Sequence, residues 1–487
     1  MLKNQTKQAF DTLQKEIDYK YSLNLLERIN NVKVEDNKIA SLFVVDEYDF
    51  WQSNQQNVFS QIKLFSKDKD YYKKNLKSNF IKSFLISLFG ILYSIISLIL
   101  IKIQGKKVLI FSPDKVSGKY KNDKRIEKIY DFLKSNNIKY YESLHTLLGR
   151  EFIKNIFLRL RPAFYPQSFD LFIFLFSKKK ETIKLDYLDS NIFNKDEIKF
   201  VSYLISQSFF SKKIFKFRIS LFKFVLRHTN TKKVLMIDDV RSWGSVVVAS
   251  KELGVKSYAF QHGHFTKYHV GWIKNTNIDA LIPKPDFLVV WSNYWKDGLI
   301  RLGTYFDKEE ILIAAKDEAE FYDGNKLQNK EIGILIPYET DAPKEEVLSF
   351  IKKTKNCNNV KIYFKVRPDI DNNVQLEEYK IIKEEVEIIR DIKKDFEKIS
   401  LAVGTYSTFL YDIMIYKIPV AILDSSLDYG YGMVANKLAD FISLNDDDFC
   451  GKVLKLSETS DEILEGRYNR YSQSDQTIAE FLKKVFK

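Results

Sequence analysis

At 487 residues, 45% hydrophobic and 15% aromatic, the chain is too long for one ordinary core and apolar enough to build two or three, which excludes a disordered protein. Its net charge of +13 admits nucleic acid, an anionic membrane surface or phosphorylated substrates. The lysines are interleaved with 64 acids and no RNP-like, zinc-finger or basic-zipper pattern occurs, so no nucleic-acid partner is expected. Two cysteines, Cys357 and Cys450, stand far apart with no second thiol beside either, which predicts neither a disulfide framework nor a zinc site and fits a reducing cytoplasm.

Residues 1–82 read as a helical arm. Leu23, Leu25, Leu26 and Ile29 recur at helical spacing, as do Trp51, Val58, Phe59 and Ile62. The cluster DEYDFW (Asp46 to Trp51) is polar and aromatic enough to touch an acceptor, but reads better as a helix start with a packed tryptophan. Residues 83–103 are a hydrophobic helix. Its nineteen residues from Ser83 to Ile101 carry no charge and would extend about 28 Å, close to bilayer thickness. Ser83, Ser87, Gly90, Ser94 and Ser97 share one face built for close packing. Lysine is dense on both sides, so the positive-inside rule gives no orientation. A helix embedded from one membrane face, with lysines on anionic headgroups, is preferred to a true span, and a buried core helix is the alternative. The run begins too far from Met1 for a signal peptide.

From 104 to 316 strands and helices alternate. KVLIFSP, IKYYESL, FDLFIFLF, KVLMIDD, KSYAFQ and FLVVWS are strand candidates, and Ile126 to Lys134 and Ser211 to Arg227 are helical. No G-x-G-x-x-G and no phosphate loop of the G-x-x-x-x-G-K-[ST] type occurs. A polar linker follows at 317–330, and the alternation restarts over 331–455 with EIGILIP, KIYFKVRP, VEIIRD, SLAVGT and PVAIL. Residues 456–487 read as a terminal helix. The fold class is therefore α/β, with two tandem Rossmann-like parallel-sheet domains, a helical arm and a hydrophobic membrane-associated helix.

The second domain is organised around GTYSTFLYD (Gly404 to Asp412), a turn from strand to helix where Ser407 and Thr408 hydroxyls meet the free N–H groups of a helix start. Such a turn suits a phosphate, or Ser407 simply caps the helix. The upstream strand ends in Lys365, Arg367 and Pro368, which a parallel sheet brings to the same edge. In the first domain two base candidates end strands at one edge: the pair Asp238 and Asp239, where adjacent carboxylates can raise one pKa, and His262. The alternatives are a capped loop and a histidine that fixes its backbone. Three of the five histidines, His262, His264 and His269, crowd one loop, yet with no cysteine or clear carboxylate beside them no metal site is expected.

The tandem layout, AFQHGHFTKY closing the first domain, KVRPD, and GTYSTFLYD followed by IPV together resemble GT-B glycosyltransferases of bacterial surface polysaccharide synthesis, a grouping with capsule polysialyltransferases, Kdo transferases and CDP-glycerol glycerophosphotransferases. The resemblance covers roughly Lys106 to Ile442. It implies a nucleotide-sugar donor on the second domain, a glycan or lipid-linked acceptor on the first, no cofactor and no obligatory metal. It places Gln261, His262 and Gly263 on the family's Q-H-G, and Lys365, Arg367 and Pro368 on its K-x-H-P, with Arg367 in place of histidine. Gly404, Ser407 and Thr408 match the turn that receives donor phosphates, and Asp412 falls where the family often has glutamate. The apolar helix embedded from the cytoplasmic face predicts a location on the cytoplasmic side of the inner membrane, peripheral or monotopic. Transfer of a polyol phosphate, or a non-catalytic assembly role, stand as rivals.

Overall fold

A computed structural model describes residues 18–34, 37–74, 80–117, 119–146, 149–176, 191–238, 243–315, 331–367 and 371–487. The expectations at Asp239, at Pro368 and for the linker 317–330 lie outside them. The chain divides into two compact units, one of Met1–Trp291, Lys296–Lys316 and Asp475–Lys487, the other of Ser292–Trp295 and Asp317–Ser474.

In the first unit, helix α1 (Tyr19–Asn30) is capped by the Asp18 carboxylate and buries Leu25, Leu26 and Ile29, as their spacing predicts. Asp49 caps α2 (Phe50–Lys67) by accepting from the Gln52 N–H, and Trp51 is fully buried. The helical segment does not stand apart as an arm. Gln52 donates to the Ile273 carbonyl and accepts from the Asn275 N–H, while the Thr276 hydroxyl donates to Asp49. These buried polar groups would be left unsatisfied if the segment lifted away.

Helix α3 (Phe80–Ile103) contains the apolar run. Its small-residue face packs inward as expected: Ser87, Gly90, Ser94 and Ser97 are buried beside Ile91 and Leu98. The Ser94 hydroxyl accepts from the Tyr165 N–H at 3.1 Å. A Cβ on Gly90 would lie 2.1 Å from Ser168 Oγ, so only glycine permits this approach.

The first sheet comprises β1 (Val108–Pro113), β2 (Tyr140–His145), β3 (Ala163–Phe164), β4 (Lys233–Ile237), β5 (Lys256–Phe260), β6 (Phe287–Val290) and β7 (Ile311–Ile313) in the order β7-β6-β5-β4-β1-β2-β3. Every pairing is parallel. Its strands are buried apolar runs, the pattern of a sheet covered on both faces. Helices α4 (Glu127–Ser135), α5 (Arg150–Arg159), α6 (Asp170–Phe176), α7 (Lys195–His228) and α8 (Gly244–Glu252) flank it. One strand expectation fails: FDLFIFLF forms the end of the 3-10 turn Pro166–Phe169 and then α6. Period alone cannot separate a short apolar helix from a strand; here Pro166 opens a helical turn and Asp170 pairs with Arg218 on α7.

The second sheet comprises β8 (Ile332–Pro337), β9 (Val360–Lys365), β10 (Glu387–Ile389), β11 (Leu401–Gly404), β12 (Val420–Leu423) and β13 (Asp440–Ile442) in the order β10-β9-β8-β11-β12-β13, all parallel. This is the Rossmann order, 3-2-1-4-5-6. Helix α9 (Lys344–Lys355) and α10 (Asn372–Glu378) precede α11 (Phe409–Asp412), a single turn continued as the 3-10 turn Ile413–Tyr416. Cys357, just past α9, is disulfide-bonded to Cys450 in α12 (Phe449–Ser457), correcting the reading of two unrelated thiols. Both segments pack on one side of the sheet, as the contact of Phe350 with Phe449 shows, and this closes a separation of 93 residues. The terminal segment is two helices, α13 (Asp461–Ser472) and α14 (Ile478–Val485). The second returns to the first unit, where Phe481 and Leu482 join the core of Tyr130, Leu235 and Phe260.

Candidate active site

In the first sheet the winding reverses between β1 and β4, and open α/β sheets bind ligands beyond the carboxyl ends of the strands at such a point. Asp238 directly follows β4 and is buried, its N–H donating to the Phe260 carbonyl. His262 lies two residues past β5, and its Nδ1 contacts Asp238 Oδ1. The two separate base candidates are thus one pair. Facing a carboxylate, Nδ1 carries the proton, which leaves Nε2 as the acceptor of the ring. Burial lowers the His262 pKa to about 3, with Arg125 pushing the same way and Asp123 opposing. The ring is neutral at pH 7. A ring held this low is by itself a weak base, and it is the Asp238 carboxylate on Nδ1, facing the cation formed, that favours proton uptake at Nε2.

Gln261 is committed to the backbone. Its N–H donates to the Val289 carbonyl, its amide nitrogen donates to the Gly263 carbonyl, and its amide oxygen accepts from the Trp291 N–H. Gln261 and Gly263 therefore set the course of the loop that carries His262. Burial also holds His264 down to about 4 and His269 well below 6.5. The described residues contain no group of three His, Cys, Asp or Glu suited to a metal.

Sequence reasoning missed the loop after β1. Asp123, 1% exposed, caps a 3-10 turn and holds the Arg125 guanidinium through Nε at 2.9 Å and Nη2 at 2.5 Å. Arg125 and Lys115 are the cations nearest in effect to His262. Asn122 is fully buried, and neither its amide nitrogen nor its amide oxygen finds a partner among the described residues. Nothing in SPDKVSGKYKND marks these roles beforehand.

In the second unit the winding reverses between β8 and β11, where GTYSTFLYD lies as predicted. Three amide groups of that turn, those of Thr405, Tyr406 and Ser407, are already satisfied. Glu339, two residues past β8 and buried, accepts from the Thr405 N–H at 2.9 Å, the Thr405 hydroxyl at 2.5 Å, the Tyr406 N–H at 2.8 Å and the Ser407 N–H at 2.5 Å. Burial raises the Glu339 pKa, while the donors from Thr405, Tyr406 and Ser407 oppose the rise. Gly404 fits beneath this carboxylate, since a Cβ there would lie 3.1 Å from Glu339 Oε1. A phosphate cradle built from these N–H groups is therefore corrected: a carboxylate of the chain itself fills it.

The side chains around the turn remain. The Ser407 hydroxyl accepts from the Phe409 N–H at 3.2 Å, a local cap, and the Asp412 N–H donates to the Thr408 carbonyl. Lys365 Nζ lies 5.8 Å from the Phe409 ring centre and donates to the Val366 carbonyl. The Arg367 backbone is clamped on both sides by the Gln375 amide, while its exposed guanidinium reaches the Thr340 hydroxyl at 3.4 Å. The sheet thus brings Lys365, Arg367 and the turn to one edge, as predicted.

No family model and no curated protein matches the chain. Among solved structures it is similar to the apo form of the lipopolysaccharide outer core galactosyltransferase WaaB, at 14% identity over 78% of this chain and 99% of that one, TM-score 0.40. It is similar to MurG of Acinetobacter baumannii, at 10% identity over 78% and 98%, TM-score 0.44. A UDP-GlcNAc 2-epimerase from Neisseria meningitidis bound to UDP-GlcNAc gives 11% identity over 78% and 99%, TM-score 0.44.

Proposed function

We propose that this chain is a metal-independent glycosyltransferase of the GT-B kind, moving a sugar from a nucleotide-activated donor to a surface glycan or lipid-linked acceptor at the cytoplasmic face of the inner membrane. The observation that carries the reading is the Asp238–His262 pair at the winding reversal of the first sheet. Its neutral imidazole, fixed in one tautomer, takes the proton of an acceptor hydroxyl at Nε2 as that oxygen attacks the sugar. On the second unit, Lys365 and Arg367 attract the phosphates of the nucleotide donor. The Ser407 and Thr408 hydroxyls take the part that the filled amide groups of their turn cannot.

Two measurements test it. Calorimetric titration with UDP, GDP and CMP is expected to find one tight nucleotide, and Arg367→Ala is expected to weaken it. Nucleotide release is then followed from the matching sugar donors and from CDP-glycerol, and His262→Ala and Asp238→Asn are each expected to slow turnover by about a hundredfold or more. Wild-type activity in both variants removes the assigned base. Release from CDP-glycerol alone makes the protein a polyol-phosphate transferase.

A further inference from the structure

Helix α3 is closed by protein on one side, through Ser94 at Tyr165 and Gly90 at Ser168, so lipid cannot surround it as it surrounds a spanning helix. On the other side Leu85, Leu92, Ile95, Ile96, Ile99 and Ile103 stand exposed, the last at 75%. Two neighbours widen this stripe. Helix α5 packs beside α3, with Phe152 and Ile156 in one cluster with Ile86, and its end exposes Phe157 at 63% and Leu160 at 79%. Leu160 caps α5 in the left-handed region, φ 51°, where glycine or asparagine is the low-strain choice. A leucine there, turned into solvent, breaks two local rules at once and gains nothing from the protein itself. Helix α6 leaves the turn whose Ser168 rests on Gly90, and it exposes Phe172 and Leu175.

Cations outnumber acids around this face, where Asp170 is paired with Arg218 and exposed Glu151 of α5 with Lys154. Helix α3 contains no acid over Phe80–Ile103 and ends at exposed Lys102, with Lys107 exposed just beyond. Arg218 of α7 pairs with Asp170 at the start of α6. From Ser220 onward, α7 forms a groove of about 560 Å³ lined by Ser220, Lys223, Phe224, Arg227 and His228, in which Lys223 is paired with Glu252 of α8. An apolar face bordered by cations complements a bilayer of anionic lipid, whose headgroups attract Lys and Arg while its acyl region takes the apolar side chains.

We propose that the first unit docks on an anionic bilayer, α3 lying in the plane of the interface and the tips of α5 and α6 entering beside it. This deepens the location given above and is independent of the transfer chemistry, since vesicle binding requires neither nucleotide nor His262. The test is cosedimentation of the full chain with phosphatidylglycerol or phosphatidylcholine vesicles. The wild-type chain binds the anionic vesicles more tightly. The pairs Leu92→Ser with Ile96→Ser and Phe157→Ser with Leu160→Ser each weaken that binding by about tenfold or more. Lys102→Glu with Arg227→Glu weakens binding to phosphatidylglycerol by about tenfold and leaves phosphatidylcholine unchanged. Leu160→Trp gives a readout independent of stability: its emission shifts to the blue and is quenched by brominated lipid. No vesicle binding, equal binding to both lipids, an unaffected Phe157/Leu160 pair or an unquenched Trp at 160 overturns the proposal. So does a dimer that forms through this face without lipid.

Discussion

Replacing Glu339 by glutamine keeps the shape of the buried carboxylate and removes half its accepting capacity. One oxygen accepts from the Tyr406 and Ser407 N–H groups, the other from the Thr405 N–H and the Thr405 hydroxyl. The new amide nitrogen takes the position where it does least harm, beside Thr405, because the hydroxyl can turn and accept while a backbone N–H cannot. One buried donor is then orphaned, at about 1–3 kcal/mol. The remaining bonds lose their charge assistance, so the total is roughly 2–4 kcal/mol. Because the chain has two units, a single unfolding free energy is poorly defined, and hydrogen exchange at Thr405 to Ser407 is the better assay. In Glu339→Gln these amides exchange about 30- to 1000-fold faster than in the wild type. Thr405→Val removes the hydroxyl that can turn, so adding it to Glu339→Gln accelerates exchange by more than the two single effects combined. Unchanged exchange in Glu339→Gln refutes the view that this carboxylate holds the turn.

Acid is expected to loosen the first unit through its buried histidines. With its pKa lowered from 6.5 to about 4 by burial, His264 binds a proton in the unfolded chain before it does in the folded one. Stability is full above pH 6.5 and falls by about 3 kcal/mol toward pH 4 from this group alone. Hydrogen exchange of the β5 amides, corrected for the intrinsic rates at pH 7 and pH 4.5, loses less protection in His264→Gln than in the wild type, and equal losses contradict the assignment. Gly90→Val drives a side chain into Ser168 and Phe152 and lowers stability by about 1–3 kcal/mol, read as a lower melting temperature. An unchanged melting temperature means that α3 does not lie this close to the turn at Ser168.

The double-sheet fold was legible because each central strand is a short apolar run bounded by polar turns, as in KVLIFSP and EIGILIP. The failures share a physical cause. FDLFIFLF has no period that separates strand from helix, and its state is decided by the distant partner Arg218. Cys357 and Cys450 are joined by packing across a sheet, which no local pattern records. Both base candidates were visible, but whether Asp238 and His262 touch depends on β4 and β5 being neighbours in the sheet. Glu339 was missed for the same reason, since its four donors lie 66 to 68 residues away.

The two winding reversals now differ in a way that composition hides. In the second sheet the Thr405, Tyr406 and Ser407 N–H groups at the crevice are taken by a fixed carboxylate, so a phosphate arriving there gains nothing from these three and relies more on side chains. Those side chains are Lys365 and the exposed guanidinium of Arg367, cations whose attraction for phosphate is screened by salt. Nucleotide affinity in this protein should therefore fall more steeply with ionic strength than in a fold that binds phosphate through a glycine-rich loop and an open helix end. In the first sheet two pairs form, Asp123 with Arg125 and Asp238 with His262, and among the described residues the buried Asn122 amide lacks a partner. On the function proposed above, a neutral basic nitrogen there suits an acceptor hydroxyl, so nucleotide affinity is expected to be unchanged in Asp238→Asn and lowered in Arg367→Ala, and a loss of nucleotide binding in Asp238→Asn refutes this division.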